Sequence, residues 1–254
     1  MSKIKAFGYE IEGEFSTSFE KKLIDVGEMK GDGSLRNCPF DDAFHVKHNL
    51  PSIHTAEFNS EVFSYDNPKE VEAGVYLFEV FQKAYEKGLY HWNKSCGFHV
   101  HISFTPKFPV EIFSKQFYDY FMGKMKAVYP KEYKARRNNS FCKDNVEENE
   151  IAYDGERHAS INFKTAMRTH GTIEFRIFPA NSPKKMKEYL QFVLKEVGFF
   201  LKNIVIDESF VCEISTDHTS TEEITANIKS SDVNIKEYKL KVENKGESVV
   251  KINV

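Results

Sequence analysis

The chain has 254 residues, 41% of them hydrophobic and 29% charged, with a formal net charge of −3. That size and apolar content support one large domain, or one domain with a small appendage. The balanced charge argues against broad non-specific DNA binding, and no run of 18 apolar residues offers a membrane-spanning helix.

In chain order, residues 4–15 alternate as a strand carrying Glu10, Glu12 and Glu14 on one face. Residues 16–26 predict a short helix with Ser18 as its cap, and Asp32-Gly33-Ser34 predicts a turn, with Lys30 just before it. Residues 37–54 have no clear period and read as a loop. Residues 55–63 alternate again, with Glu57, Asn59 and Glu61 together and Phe58 and Val62 on the reverse. Asn67 caps and Pro68 opens a helix to about Lys87, with Gly88 as its stop and Val71, Val75, Phe78 and Phe81 as its apolar stripe. Residues 97–104 form a strand bearing His99 and His101, and residues 109–129 and 131–137 read as two helices. The acidic, polar stretch 143–157 suits a loop over a site. Strands follow at 158–164, with His158, Ser160 and Asn162 on one face, and at 171–179. Ser182 and Pro183 then open a helix to about Asn203. Beyond residue 206 the composition turns to Thr, Ser, Val, Ile and Lys, which predicts a small β-rich extension over 206–254 with a turn near Asn244. The fold class expected is α+β, a mainly antiparallel sheet with helices on one face and an open ionic cleft on the other.

The four cysteines (Cys38, Cys96, Cys142, Cys212) are dispersed and include no Cys-x-x-Cys pair. Neither a disulfide framework nor a zinc finger is expected. With no secretory apolar core near Met1, a reducing cytoplasm is the expected compartment.

Three strands place charges or imidazoles at every second position: Glu10/Glu12, His99/His101 and Glu174/Arg176. An ordinary wet face carries Lys, Thr, Ser and Glu without such pairing. Glu-x-Glu supplies two oxygen ligands for a hard cation, and Glu57 with Glu61 repeats the supply from another strand. Taken alone, each carboxylate pair is more often a plain exposed strand face. Two imidazoles on one face bind a metal or touch phosphate. Arg136 and Arg137 form either a solvated helix end or a clamp for a phosphate or carboxylate. Arg176 lies in an apolar run beside Glu174, where a structural ion pair and a ligand role both fit. Asn162 fits a structural role as well as substrate orientation.

The ordered set Gly8-Tyr-Glu-Ile-Glu12, Asp32-Gly-Ser34, Glu57, Cys96-Gly-Phe-His-Val-His101, Arg136-Arg-Asn-Asn, Ser160-Ile-Asn162 and Thr172-Ile-Glu-Phe-Arg176 resembles the amidoligase family. That family is similar to glutamine synthetase and glutamate–cysteine ligase. The resemblance covers about residues 4–200, and implies a glutamine synthetase-like catalytic domain over 1–205. It implies an ATP- and Mg²⁺-dependent (or Mn²⁺-dependent) carboxylate–amine ligase acting on small-molecule or peptide substrates, with no nucleic-acid or membrane partner. By the same resemblance, Glu10, Glu57 and Glu61 hold one metal. Glu12, His99 and Glu174 hold the metal facing the ATP phosphates, with His101 and Ser34 also toward the nucleotide. Arg176, with Arg136 or Arg137, neutralises the transferred phosphoryl group or holds the carboxylate. Where the family has a Ser-Pro-like pair after Glu57, this chain has Ser60-Glu61. The rival expectations are a phosphotransferase on the same scaffold, an ATP-independent metal hydrolase, and a non-enzymatic binding protein derived from a ligase.

Overall fold

Alternation of side chains along each strand splits the main sheet into an aromatic face and an ionic face. The computed structural model describes residues 2–31, 35, 53–105, 109, 111–139, 142–143, 158–163, 171–203, 211–216, 223–230 and 233–241. The fold is mixed α+β, a mostly antiparallel open sheet with five helices among the described residues.

The central strands are β1 (Lys3–Ser16), β3 (Ile53–Ser60), β6 (Gly97–Thr105), β9 (Ile161–Asn162) and β10 (Ile173–Pro179). With β2 (Gly27–Lys30) they run in the order β2-β3-β1-β6-β10-β9, and β4 (Phe63–Ser64) and β5 (Tyr90–His91) pair with β1. β7 (Asn138–Asn139) and β8 (Cys142–Lys143) form a small separate hairpin. β11 (Val211–Thr216), β12 (Glu223–Ser230) and β13 (Val233–Lys241) form their own antiparallel sheet.

Helices α1 (Thr17–Leu23), α2 (Pro68–Glu86), α3 (Lys115–Val128), α4 (Pro130–Arg136) and α5 (Pro183–Asn203) accompany the main sheet. Rings bind the two layers. Tyr9 of β1 lies 4.9 Å from Phe78 of α2, Phe175 of β10 lies 4.7 Å from Phe121 of α3, and Phe178 stacks on Tyr189 of α5 at 4.8 Å. Edge-to-face and offset pairs of this kind add to the stabilisation from burial itself.

Several boundaries move from the expectation for identifiable reasons. The cap of α1 is Ser16, whose Oγ accepts from the Phe19 N–H at 3.2 Å, and Ser18 only touches that hydroxyl. Helix α3 starts at Lys115 because Ser114 caps it, accepting from the Phe117 N–H at 3.1 Å. The buried stripe of α2 is Gly74, Leu77, Phe78, Phe81 and Ala84, with Val71 and Val75 only part-buried. Gly74 sets that rotation: a Cβ there would lie 2.8 Å from the Phe63 ring, and its carbonyl accepts from the Tyr9 hydroxyl at 2.7 Å.

The stretch 55–63 does not remain one strand. Asn59 faces Glu10 but Phe63 faces Phe7, so one extra residue is inserted opposite β1. Ser60 holds the irregularity, accepting from the Tyr9 N–H at 2.9 Å and donating to the Glu61 carbonyl at 2.8 Å. Glu61 and Val62 are expelled to solvent, Val62 to 75% exposure, instead of continuing the alternation.

Candidate metal and anion site on the ionic face

Register carries polar and charged residues of five strands into two rows. In one row Asn59, Glu10 and His99 lie opposite one another across β3, β1 and β6. In the next, Gly8, His101, Glu174 and Asn162 follow across β1, β6, β10 and β9. Gly8 leaves the space beside His101 clear, with nothing nearer than 3.5 Å to the place of a Cβ. Glu57 faces Glu12 across β3 and β1.

The strand pair β6/β10 is irregular at this point. Phe175 faces Val100 and Phe178 faces Phe98, so Arg176 and Ile177 together oppose His99 alone. Such a bulge re-aims a side chain beside a site. Here it keeps Arg176 beside Glu174, with its Nη1 donating to Glu174 Oε1.

Glu10 is the centre of the cluster. Its Oε2 lies 2.8 Å from His99 Nδ1 and its Oε1 lies 3.0 Å from His101 Nε2. Burial alone would raise its pKa, but hydrogen bonds and charge from His101 and His99 hold the carboxyl well below the usual range. Burial lowers the pKa of His101, and the Glu10 carboxylate outweighs that and raises it. Glu174 Oε1 lies 3.4 Å from His99 Nδ1, and its Oε2 accepts from Asn162 Nδ2 at 2.8 Å. His101 Nδ1 lies 3.2 Å from the Thr172 hydroxyl. Donor atoms of Glu10, His101 and Glu174 all fall within 4.8 Å of one another.

Beside this cluster is a second set. The Gly97 N–H donates to Glu12 Oε2, and Glu12 Oε1 lies 3.6 Å from His99 Nε2, a buried nitrogen with no hydrogen-bond partner. A Cβ at Gly97 would lie 2.6 Å from His99 Nε2 and 3.1 Å from both Arg136 Nη2 and Glu12 Oε2. Only glycine permits this close approach. Arg136 is buried at 4% exposure, donates from Nη2 to the Arg176 carbonyl at 3.2 Å and leaves Nε without a partner. Arg137 is exposed, with its guanidinium 5.3 Å from the Tyr133 ring centre. Of the two arginines, then, Arg136 reaches the site.

Glu57 is held by Asn59, whose Nδ2 donates to its Oε1 at 2.9 Å. Burial, then the charge of Glu10, pushes its pKa up to about 7. Both causes disfavour the carboxylate, and a divalent cation beside it would favour the ionised form. Glu14 accepts from Asn93 Nδ2 at 3.1 Å. The Cys96 thiol is pushed up to about 12 by burial, which suits a structural residue and not a thiolate nucleophile.

The expected residues therefore divide. Glu10, Glu12, Glu57, His99, His101, Glu174, Arg176, Asn162 and Arg136 converge on one face. Glu61 and Arg137 point to solvent, and Ser34, Asp32 and most of the 143–157 loop lie outside the described residues. His99 lies between Glu12 and Glu174, at 3.6 and 3.4 Å, and the donor atoms of Glu10, His101 and Glu174 also fall together. Two positions carried no expected role, Thr172 against His101 and Gly97 beneath the Glu12 carboxylate. Thr172 had a signal, since it is two residues from Glu174 and so on the same face. Neither a scan against protein-family models nor searches of curated proteins and of solved structures found a match.

Proposed function

We propose that the protein is an ATP- and divalent-metal-dependent carboxylate–amine ligase of the glutamine synthetase-like kind, working on the ionic face of the main sheet. The observation that carries this reading is Glu10. Its carboxylate spans both imidazoles of β6, opposite the Glu174–Arg176 couple of β10. The Glu-x-Glu, His-x-His and Glu-x-Arg strands thus meet on one face, and Glu10, His101 and Arg176 keep 21%, 17% and 13% of their side chains open to solvent.

The residues present fit a divalent cation. Glu10, Glu12, Glu57 and Glu174 crowd one face, and the pKa of Glu57 is raised by burial first and then by the charge of Glu10. Glu10 and Glu174, with an imidazole, would hold the ion, which when bound supplies charge neutralisation along the ATP phosphates. Arg176 and Arg136 would neutralise the transferred phosphoryl group and hold the substrate carboxylate. Asn162 fixes Glu174 through Oε2 while Arg176 holds Oε1, so the carboxylate is oriented from both sides.

In the first step a substrate carboxylate oxygen attacks the γ-phosphorus of ATP and ADP leaves, giving an acyl phosphate. In the second, an amine attacks the acyl carbon, phosphate departs with the carboxylate's oxygen, and the amine gives up a proton. The test is oxygen transfer. Carboxylic acids labelled with ¹⁸O, supplied in pools with ATP, Mg²⁺ or Mn²⁺ and amines, should yield ¹⁸O-labelled phosphate, and Glu10→Gln should not. Phosphate free of label, with an amide forming, would sink the acyl-phosphate route. One observation favours a second reading, an ATP-independent metal hydrolase: the carboxylate tripod includes an imidazole. That reading requires hydrolysis of an ester or amide with no ATP present.

A further inference from the structure

We propose that Tyr90 is a positioning residue for the ionic face: when a cation loads there, its buried hydroxyl closes onto the Glu12 carboxylate as a second donor and fixes the aim of that side chain. The inference rests on the cation-binding part of the reading above and not on ligation.

Tyr90 is 0% exposed, and its hydroxyl has no hydrogen-bond partner among the described residues. Native chains rarely leave a buried hydroxyl in that state, because the group has given up water and gained no bond. The ring itself is fixed from the aromatic face. It lies 5.2 Å from Phe15, 5.1 Å from Phe81 and 6.1 Å from Trp92, centre to centre. A Cβ on Gly13 would fall 2.5 Å from Tyr90 Cε2, the ring carbon next to the one that bears the hydroxyl. Only glycine, beside Glu12 in β1, admits the ring there. Burial holds the hydroxyl pKa well above the ordinary 10, and the neighbouring Cys96 and Glu12 push the same way.

Glu12 is short of what Tyr90 offers. Among the described residues it accepts one hydrogen bond, from the Gly97 N–H to Oε2. Its Oε1 faces His99 Nε2 at 3.6 Å, beyond hydrogen-bond reach. An ionised carboxylate can accept about four such bonds. A donor without an acceptor and an acceptor short of donors therefore lie together at one end of β1. The Cys96 sulfur is a weaker acceptor and already takes the Asn93 N–H at 3.5 Å. Hydrogen bonds that serve a ligand often tighten only when it binds. A donor behind Glu12 would hold its carboxylate against rotation as a cation draws it, as outer partners of metal ligands do.

Mn²⁺, added to the full chain without nucleotide, is the probe. Its affinity is read from loss of the free-ion electron paramagnetic resonance signal in the native protein, Tyr90→Phe, Glu12→Gln and the double variant. Tyr90→Phe keeps the ring, so without metal it should melt at or above the native midpoint. It should bind Mn²⁺ about tenfold more weakly, the lower end of the range for outer partners of metal ligands. In the Glu12→Gln background the same change should cost no more than about twofold. Infrared difference spectra with ¹³C-labelled tyrosine should show one hydroxyl becoming a donor as Mn²⁺ is added, and Tyr90→Phe should lack that band. Where Glu12→Gln binds too weakly to measure, the infrared band decides. Native Mn²⁺ affinity in Tyr90→Phe, an equal loss in both backgrounds, or an absent band would overturn the inference. So would no Mn²⁺ binding by the folded native protein, or a Tyr90→Phe chain that melts well below it, which would give the hydroxyl a structural role. Mn²⁺ binding that depends on Tyr90 with no ATP-dependent product upholds the inference and overturns the ligase reading alone.

Discussion

The two faces of β1, β6 and β10 are built from alternate residues of the same strands and answer to different physics. On one face Tyr9, Phe98 and Phe175 are fully buried among helix rings. On the other Glu10, His99, His101 and Glu174 crowd charge into a small volume, and Glu57 is left with a pKa near 7. The aromatic face stabilises the chain by burial, whereas on the ionic face the imidazoles offset the Glu10 charge and burial, with Glu10 beside it, disfavours the Glu57 carboxylate. On the proposed reading, the ionic face is the working face.

The comparison breaks most visibly on the aromatic face. Phe175→Ala, facing Phe121 across a fully packed layer, should cost about 3–5 kcal/mol in chemical denaturation, with residual folded protein still binding metal. A loss under 1 kcal/mol would mean that the layer is not the main source of stability.

Gly97→Ala tests the join between the faces. Its Cβ would meet His99, Arg136 and Glu12 together, so it should cost about 1–3 kcal/mol and lower ATP-dependent turnover more than tenfold. Native turnover in this variant would show that the close approach is not needed.

Glu57→Gln tests the charge excess on the ionic face. The folded pKa of about 7 lies above the ordinary 4.5, so between those values the folded chain keeps a proton that the unfolded chain has lost. Stability of the metal-free protein should therefore fall as pH rises from about 4.5 to 7 and stay low above it. Glu57→Gln should flatten that profile and raise the midpoint at pH 8, by about 2–4 °C for each kcal/mol relieved. Parallel melting curves of the two proteins from pH 5 to pH 8 would contradict the account. Smallest of all, Glu61→Ala should change stability by no more than about 0.5 kcal/mol and leave turnover intact, because Glu61 lies in solvent beyond β3.

Much of this contrast was legible in the sequence, because period-two alternation marks a strand with two unlike faces. Glu10, Glu12, His99, His101, Glu174 and Arg176 could be placed on one face from spacing alone. What spacing does not carry is register. That Glu10 falls opposite His99 and Glu57 opposite Glu12 depends on strand pairing across distant segments. The same limit moved Glu61 off the face, since one inserted residue near Ser60 reverses every position after it. The choice between Arg136 and Arg137 was equally closed to sequence, because it turns on which residue at the end of a short helix lies beside Gly97. The rotation of α2 depended on Gly74, a residue without a side chain and so invisible to an apolar stripe.

The most direct test of the central claim is calorimetric titration of ATP, with Mg²⁺ or Mn²⁺, into the native protein and into Glu10→Gln. The account predicts metal-dependent ATP binding by the native chain and its loss in the folded variant. No ATP binding by the folded native protein with either metal, or equal binding by Glu10→Gln, would contradict it.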